Sequence, residues 1–248
     1  MDGTVALVTG GSSGIGAAIA RRLAAGGARL YVTGRDTRRL AEVAGHLGGT
    51  PLPAELTDPA EVRGLADQVL ADAGRVDVLV HSAGLGWAGR FADMPPDRVI
   101  DLVALDLIAP MLLTRAVLPG MRQRRRGHIG FVGSIAGRLA VGQEAVYSAA
   151  KGGLGIFADS LRQEVRGCGI IVTELVPAVV DTPFFARRGR PYHRTVPRPV
   201  PPDRAAATLL DAMFAGRDEA YLPRWMRLPV AVRALAPSTY RRLSTRFG

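Results

Sequence analysis

The chain has 248 residues, 48% of them hydrophobic and 22% charged, enough to build a globular protein with a sizeable core. Its one cysteine, Cys168, excludes an internal disulfide framework, and no run of 18 uncharged apolar residues occurs that would span a membrane. The formal charge of +10 by itself is non-specific, and without a recognition module it does not point to nucleic acid.

The first residues pass straight into a strand-like run, with no charged leader or apolar signal core, so a cytoplasmic location is expected. Strand-like runs at 5–9, 30–33, 76–81, 129–133 and 170–176 alternate with helical patterns at 14–25, 37–46, 59–73, 96–121 and 144–166. Alternation at this pitch predicts an α/β fold, a doubly wound parallel sheet with right-handed crossovers and helices on both faces. In such sheets ligands bind beyond the carboxyl ends of the strands.

The first turn follows strand 5–9 and opens helix 14–25. Its glycines, Gly10, Gly14 and Gly16, allow a tight backbone, and Ser12, Ser13 and Ile15 lie between them. Backbone N–H groups and the helix dipole make such a turn a place for a phosphate. Alone, the turn leaves ligand binding and a plain structural turn evenly matched.

Farther along stands Tyr147-Ser148-Ala149-Ala150-Lys151. Residues four apart share a helix face, so phenol and ammonium can meet. A nearby cation favours the phenolate, drawing the tyrosine pKa down from about 10 and suiting it to proton exchange with a substrate oxygen. Of the 32 basic residues, 31 are arginine and one is lysine, Lys151. An ammonium is a compact charge with three rotatable donors, which a guanidinium cannot imitate in a tight site. An ordinary surface pair at i,i+4 explains the spacing equally well when it stands alone.

Together these segments resemble the short-chain dehydrogenase/reductase family from about residue 4 to residue 221. Residues 9–16 are similar to its TGxxxGxG loop, and His81-Ser82-Ala83-Gly84 to its NNAG segment. Ser134 stands thirteen residues before Tyr147, the family spacing, and residues 177–182 resemble its PGxxxT segment, with Pro177, Val180 and Thr182 near the nicotinamide. The resemblance implies a Rossmann-like single domain and a catalytic Ser134, Tyr147 and Lys151. Tyr147 would exchange a proton with the substrate oxygen, Lys151 would hold the nicotinamide ribose, and Ser134 would steady charge on the carbonyl. Ser82, Ala83 and Gly84 would lie beside the cofactor. No metal is expected.

The chain contains no asparagine, so it departs from the family at every asparagine. His81 reads as a structural hydrogen-bonding residue rather than a catalytic acid. Asp106 occupies the slot of the family asparagine that supports a water path to the lysine, and its charge would make Tyr147 harder to ionise. Ala178 replaces a glycine, which raises the question whether its backbone reaches the needed angle. After the second strand, Gly34 aligns with the family's ribose-binding acid and Arg35 follows it, implying NADP(H) through a planar donor set for the 2′-phosphate. Asp36 would dissent if the alignment slipped, and otherwise caps the next helix. Glu55 and Leu56 fall in the adenine-contacting segment, with Asp58 as a helix cap.

The long helices 96–121 and 144–166 carry apolar residues on more than one face, and in the family they pair between subunits, so a homodimer or homotetramer is implied. Residues 183–248 hold thirteen arginines against four acids, or +9. The domain is placed at 1–222, with a substrate lid at about 183–202. Residues 223–248 form a basic extension whose two short helices carry Val232, Leu235 and Leu243. The extension either packs on the protein or makes weak peripheral membrane contact, and packing is favoured. The reading that follows is an NADP(H)-dependent ketoreductase or alcohol dehydrogenase on a fairly apolar small molecule. A cyclase, dehydratase or epimerase on the same scaffold, or a cofactor-binding regulator, are the alternatives.

Overall fold

Seven parallel strands form one sheet in the order β3-β2-β1-β4-β5-β6-β7. The computed structural model describes residues 3–193 and 195–247, and side chains as far as residue 242. The strands are β1 Val5–Thr9, β2 Arg29–Gly34, β3 Thr50–Pro53, β4 Val78–His81, β5 Gly127–Val132, β6 Ile170–Pro177 and β7 Glu219–Leu222. The helices are α1 Gly14–Ala25, α2 Thr37–Leu47, α3 Pro59–Ala73, α4 Pro96–Val103, α5 Ala109–Arg124, α6 Ile135–Leu139, α7 Ala145–Glu164, α8 Phe184–Arg187, α9 Pro202–Phe214, α10 Arg227–Leu235 and α11 Pro237–Phe247.

The period-two alternation of a strand sorts the core into two halves. Val5 and Leu7 of β1 point into a cluster with Leu65 of α3, Val117 of α5 and Leu154 of α7. Ala6 and Val8 point the other way, into a cluster with Ile19 of α1, Leu40 of α2 and Leu209 of α9. Each fully buried aliphatic side chain of this kind contributes about 1.5–3 kcal/mol relative to exposure. The strand order reverses beside β1, between β1 and β4, and places the ligand crevice there.

Besides the short helices α6 and α8, two longer elements were not anticipated. The edge strand β3 contains Pro51 and Pro53, which break a strand pattern but are tolerated where only one neighbour pairs. Helix α9 carries Pro202 in its first turn and buries Ala205, Ala206, Leu209 and Met213, a helical repeat whose first half is marked only by small alanines. The helix expected at 96–121 runs on to Arg124 and contains a π turn, Ala104–Ile108, between α4 and α5. By length and composition this run could cross a membrane, although the sequence suggested no such segment. Its inner face nevertheless packs on the sheet through Leu113, Val117 and Met121, and it buries the carboxylate of Asp106.

The basic C-terminal segment lies against the end of the domain beyond β6 and β7. Met226 is buried with Ile135, Val176 and Tyr221, and Val230 packs on the same cluster. Arg233 donates to the carbonyl of Arg138, and the Tyr240 hydroxyl donates to that of Leu139 at 3.1 Å. Val232 and Leu235 are exposed, and the side chain of Leu243 lies outside the described residues.

Arg138 of α6 joins this corner together. Its guanidinium lies 2.5 Å from Glu174 of β6 and 2.5 Å from Glu219 of β7, and Glu174 is fully buried. Burial pushes the Glu174 carboxyl up to about 7, against the pull of Arg138. Because the folded pKa is raised, the proton on Glu174 favours the fold at low pH, and that contribution is lost as pH rises through about 7. Removing the guanidinium leaves two facing carboxylates, one of them buried. Arg138→Ala should therefore cost about 3 kcal/mol at pH 8 and clearly less at pH 5.5, where Glu174 takes up a proton. Urea unfolding at both pH values checks this, and equal losses would contradict it.

Candidate active site

The carboxyl ends of β1, β4, β5 and β6 open into one cleft of about 1750 Å³. Its floor at β1 depends on two glycines. Gly10 has φ +68, and a Cβ there would fall 2.7 Å from the backbone nitrogen of Ala83. A Cβ on Gly16 would lie 2.3 Å from the Gly10 carbonyl oxygen. Neither position admits a side chain, so the loop can lie flat against the end of β4. Thr9 fastens the two segments, its hydroxyl accepting from the backbone of Ser82 at 3.0 Å and Ala83 at 3.1 Å. Gly10, Ser12, Ser13, Gly14 and Ile15 line the cleft with Ser82, Ala83 and Gly84, while Gly16 supports the loop from behind.

Ser134, Tyr147 and Lys151 meet on the opposite wall. Ser134 ends β5 and caps α6, accepting from the backbone of Ala136 at 3.1 Å. Tyr147 and Lys151 stand one turn apart on α7, with the ammonium 5.9 Å from the centre of the phenol ring. Lys151 is buried, donates to the Val132 carbonyl at 3.1 Å and lies 3.4 Å from Asp106. Asp106 sits on the π turn, fully buried, and accepts from the backbone of Leu85 through Oδ1 at 2.7 Å. Its other oxygen faces Lys151 without an aligned hydrogen bond among the described residues. Asp106 does not itself line the cleft; its neighbour Leu105 does.

The electrostatics differ from the sequence expectation. Burial holds the Tyr147 proton well above the usual phenol range, and the charge of Asp106 adds to this, while a hydrogen bond with Ser134 works the other way. Burial outweighs the lowering expected from Lys151, whose ammonium also faces the Asp106 carboxylate. Burial likewise pushes Asp106 above the usual carboxylate range, and Lys151 opposes that rise. His81 is held down to about 3 by burial and then by Lys151. It is neutral, 2.9 Å from the Thr114 hydroxyl and stacked on Phe131, as the structural reading expects.

At the far end of the cleft stand Arg35, Asp36 and Arg39. Asp36 caps α2, accepting from the Arg39 backbone at 3.0 Å, and also pairs with the Arg39 guanidinium at 3.1 Å. Arg35 pairs loosely with Glu55 at 3.6 Å. Glu55 lies behind Arg35 rather than in the cleft, whereas Leu56 lines it. Asp58 caps α3, accepting from Ala60 at 2.7 Å. Pro177, Val180 and Thr182 line the middle of the cleft, and the Thr182 hydroxyl accepts from the backbone of Phe184 at 3.4 Å, just ahead of α8. Ala178 is not among the positive-φ residues and donates to the Leu222 carbonyl at 2.8 Å, so the missing glycine costs no strain.

The segment after Thr182, read from the sequence as a lid, lies over the wall formed by Ser134, Tyr147 and Lys151. Phe184 packs against Tyr147 with ring centres 5.4 Å apart, Arg188 pairs with Glu144, and Arg190 donates to Gln143. Trp225, Met226, Val232 and Tyr240 of the C-terminal segment complete an apolar wall of the same cleft. Sequence reasoning missed Arg39, Glu144, Arg187 and Arg188 as cleft residues. No motif marks them, and only the density of arginine after residue 183 hinted at the last two.

Residues 4–192 match the family model described as short chain dehydrogenase. The 3-oxoacyl-acyl-carrier-protein reductase FabG of Escherichia coli (strain K12) is 36% identical over 183 residues, 73% of this chain and 75% of its own. A short-chain dehydrogenase from Sphingobium yanoikuyae, solved in complex with NADPH, has a TM-score of 0.83 at 29% identity, covering 95% of this chain and 96% of the other. A metagenomic short-chain oxidoreductase solved with NADP has a TM-score of 0.76 at 35% identity, covering 89% and 96%. Sheet order, glycine turn and the Ser134, Tyr147 and Lys151 wall agree with that match over most of the chain, and the protein belongs to the short chain dehydrogenase family of oxidoreductases.

Proposed function

We propose that the protein is an NADP(H)-dependent carbonyl reductase or alcohol dehydrogenase acting on a fairly apolar small molecule. The observation that carries this reading is the convergence of Ser134, Tyr147 and Lys151 across one cleft from a side-chain-free glycine turn. The cleft residues fit a dinucleotide. Gly10 and Gly16 leave a cradle that any Cβ would fill, and the N-terminus of α1 supplies backbone donors for an anion. Arg35 and Arg39 at the end of β2 suit a 2′-phosphate, in keeping with the NADPH and NADP held by the two structural relatives.

When bound, the nicotinamide supplies or accepts the hydride. The chain's own residues handle the proton. Tyr147 donates from its phenol to the carbonyl oxygen during reduction, and Ser134 donates a hydrogen bond to the same oxygen as charge develops on it. Lys151, fixed by Val132 and Asp106, holds a positive charge beneath the site. A phenol whose proton is held tightly stands in the protonated form that reduction uses at neutral pH, and the phenolate that oxidation needs is populated only at higher pH. The apolar wall formed by Phe184, Trp225, Met226 and Val232 supports an apolar substrate. Exposed Ile100 on α4, Ile108 on the π turn and Ile156 on α7 support pairing of these helices between subunits.

Tyr147→Phe should lower carbonyl reduction at least about 100-fold while NADPH affinity stays within about twofold. Steady-state rates and a fluorescence titration test this, and near wild-type turnover would remove Tyr147 from the mechanism. Asp106→Asn removes a negative charge that raises the Tyr147 pKa, so the basic limb of alcohol oxidation should move to lower pH. A displacement of about one unit corresponds to about 1.4 kcal/mol. A pH–rate series that stays put or moves upward contradicts the role given to Asp106. Arg35→Ala should weaken NADPH more than NADH by about 1.5–3 kcal/mol, and equal losses would place Arg35 away from the 2′-phosphate.

A further inference from the structure

The lid makes contacts at both ends of the cleft through a single helical turn. On the catalytic side, Phe184 rests on Tyr147 and Arg188 pairs with Glu144. On the cofactor side, Arg187 reaches across to the glycine turn, its Nη2 donating to the Ser13 hydroxyl at 3.2 Å. Thr182, at the base of the lid, sits so close to Gly14 that a Cβ there would fall 3.1 Å from its methyl carbon. The residues from Phe184 to Arg188 span only about 6 Å of helix, so a displacement at one end is felt at the other.

Arg187 differs in its charge balance from the two arginines at the end of β2. Arg35 faces Glu55 and Arg39 faces Asp36, each pair half exposed. Among the described residues no acid pairs with Arg187; its side chain donates to Ser13 and to the Pro183 carbonyl. Burial first, and then the charges of Arg39 and Arg35, disfavour its protonated form. Three guanidiniums thus approach one another with two carboxylates among them, and Asp36 and Glu55 are already engaged. A doubly charged phosphate between the three would turn their repulsion into attraction.

Resting on the proposal that NADP(H) occupies the cleft, we propose that Arg187 is a phosphate ligand carried by the lid. It closes on the 2′-phosphate beside Arg35 and Arg39, pins the lid, and so seats Phe184 against Tyr147. The cofactor's extra phosphate then contributes twice, to affinity and to assembly of the catalytic wall. NAD(H) lacks it and leaves the lid unpinned. Arg187 is in this sense a specificity-determining residue located far along the chain from the segment that follows β2.

Limited trypsin digestion reads the lid directly, because the bond from Arg188 to Gly189 is a cleavage site within it, whereas Arg190 and Arg198 precede proline and resist trypsin. Wild-type protein saturated with NADP+ should be cut there several-fold more slowly than protein saturated with NAD+. In Arg187→Ala, NADP+ should bind about tenfold more weakly, and at saturation it should no longer slow cleavage after Arg188. Arg35→Ala serves as the comparison: it too loses affinity, but once saturated it keeps the protection. Circular dichroism verifies that each variant is folded. Equal protection by both cofactors in the wild type overturns the 2′-phosphate assignment, and unchanged protection in Arg187→Ala overturns the role of Arg187. If NADP+ does not bind the wild-type protein at all, the proposed function fails with it. Binding without lid protection makes this inference fail alone.

Discussion

The site is organised by a charge that has to be buried. Lys151 stands on α7 beneath the cleft with almost no solvent, held by the Val132 carbonyl and facing Asp106. An isolated ammonium in such a place would be costly to bury, and the carboxylate opposite offsets that cost. Several features follow from this pair. The π turn at Ala104–Ile108 delivers Asp106 to the lysine from a helix that otherwise packs on the sheet. Gly84 keeps a side chain away from it, since a Cβ would lie 3.5 Å from the carboxylate and 3.7 Å from the ammonium. His81 stays neutral nearby, partly because Lys151 is charged.

The pair also sets the proton chemistry of Tyr147. A free ammonium would draw the phenol towards ionisation, but here its charge is largely answered by Asp106, and burial dominates. The arrangement suits a proton donor better than a base. The wall is closed by elements that lie far apart in sequence. Ser134 is fixed as the cap of α6, and α6 is fixed by the Arg138 bridge to β6 and β7 and by the C-terminal helices that hydrogen-bond to its end. Stability at that corner and the position of Ser134 are therefore linked through five residues of helix.

Much of this was legible in the sequence, and where it failed the reasons are specific. Strand-like runs at β1, β2, β4, β5 and β6 were readable because strands buried on both faces are nearly continuous in Val, Ile and Leu. Edge strand β3 was not, because two prolines deny it a strand signature that its single neighbour does not require. The glycine turn and the Tyr147–Lys151 spacing carry chemistry in local sequence, so they could be located directly. Asp106 was located by its place in the helix, but its contact with Lys151 depends on a π turn with no sequence mark. Glu144, Arg187 and Arg188 were invisible as cleft residues, since their contacts form only where the segment after Thr182 meets α7 and the first turn. The C-terminal arginines looked like a surface property, yet the segment that carries them also walls the cleft.

Tyr147 keeps its proton through neutral pH because burial and Asp106 outweigh a lysine that faces a carboxylate. The most direct test is a spectrophotometric titration of tyrosinate in the cofactor-free protein, taken as the difference between wild type and Tyr147→Phe. The account predicts no ionisation attributable to Tyr147 below about pH 10, the ordinary phenol value. A tyrosinate signal from Tyr147 appearing between about pH 6 and 8 would contradict it.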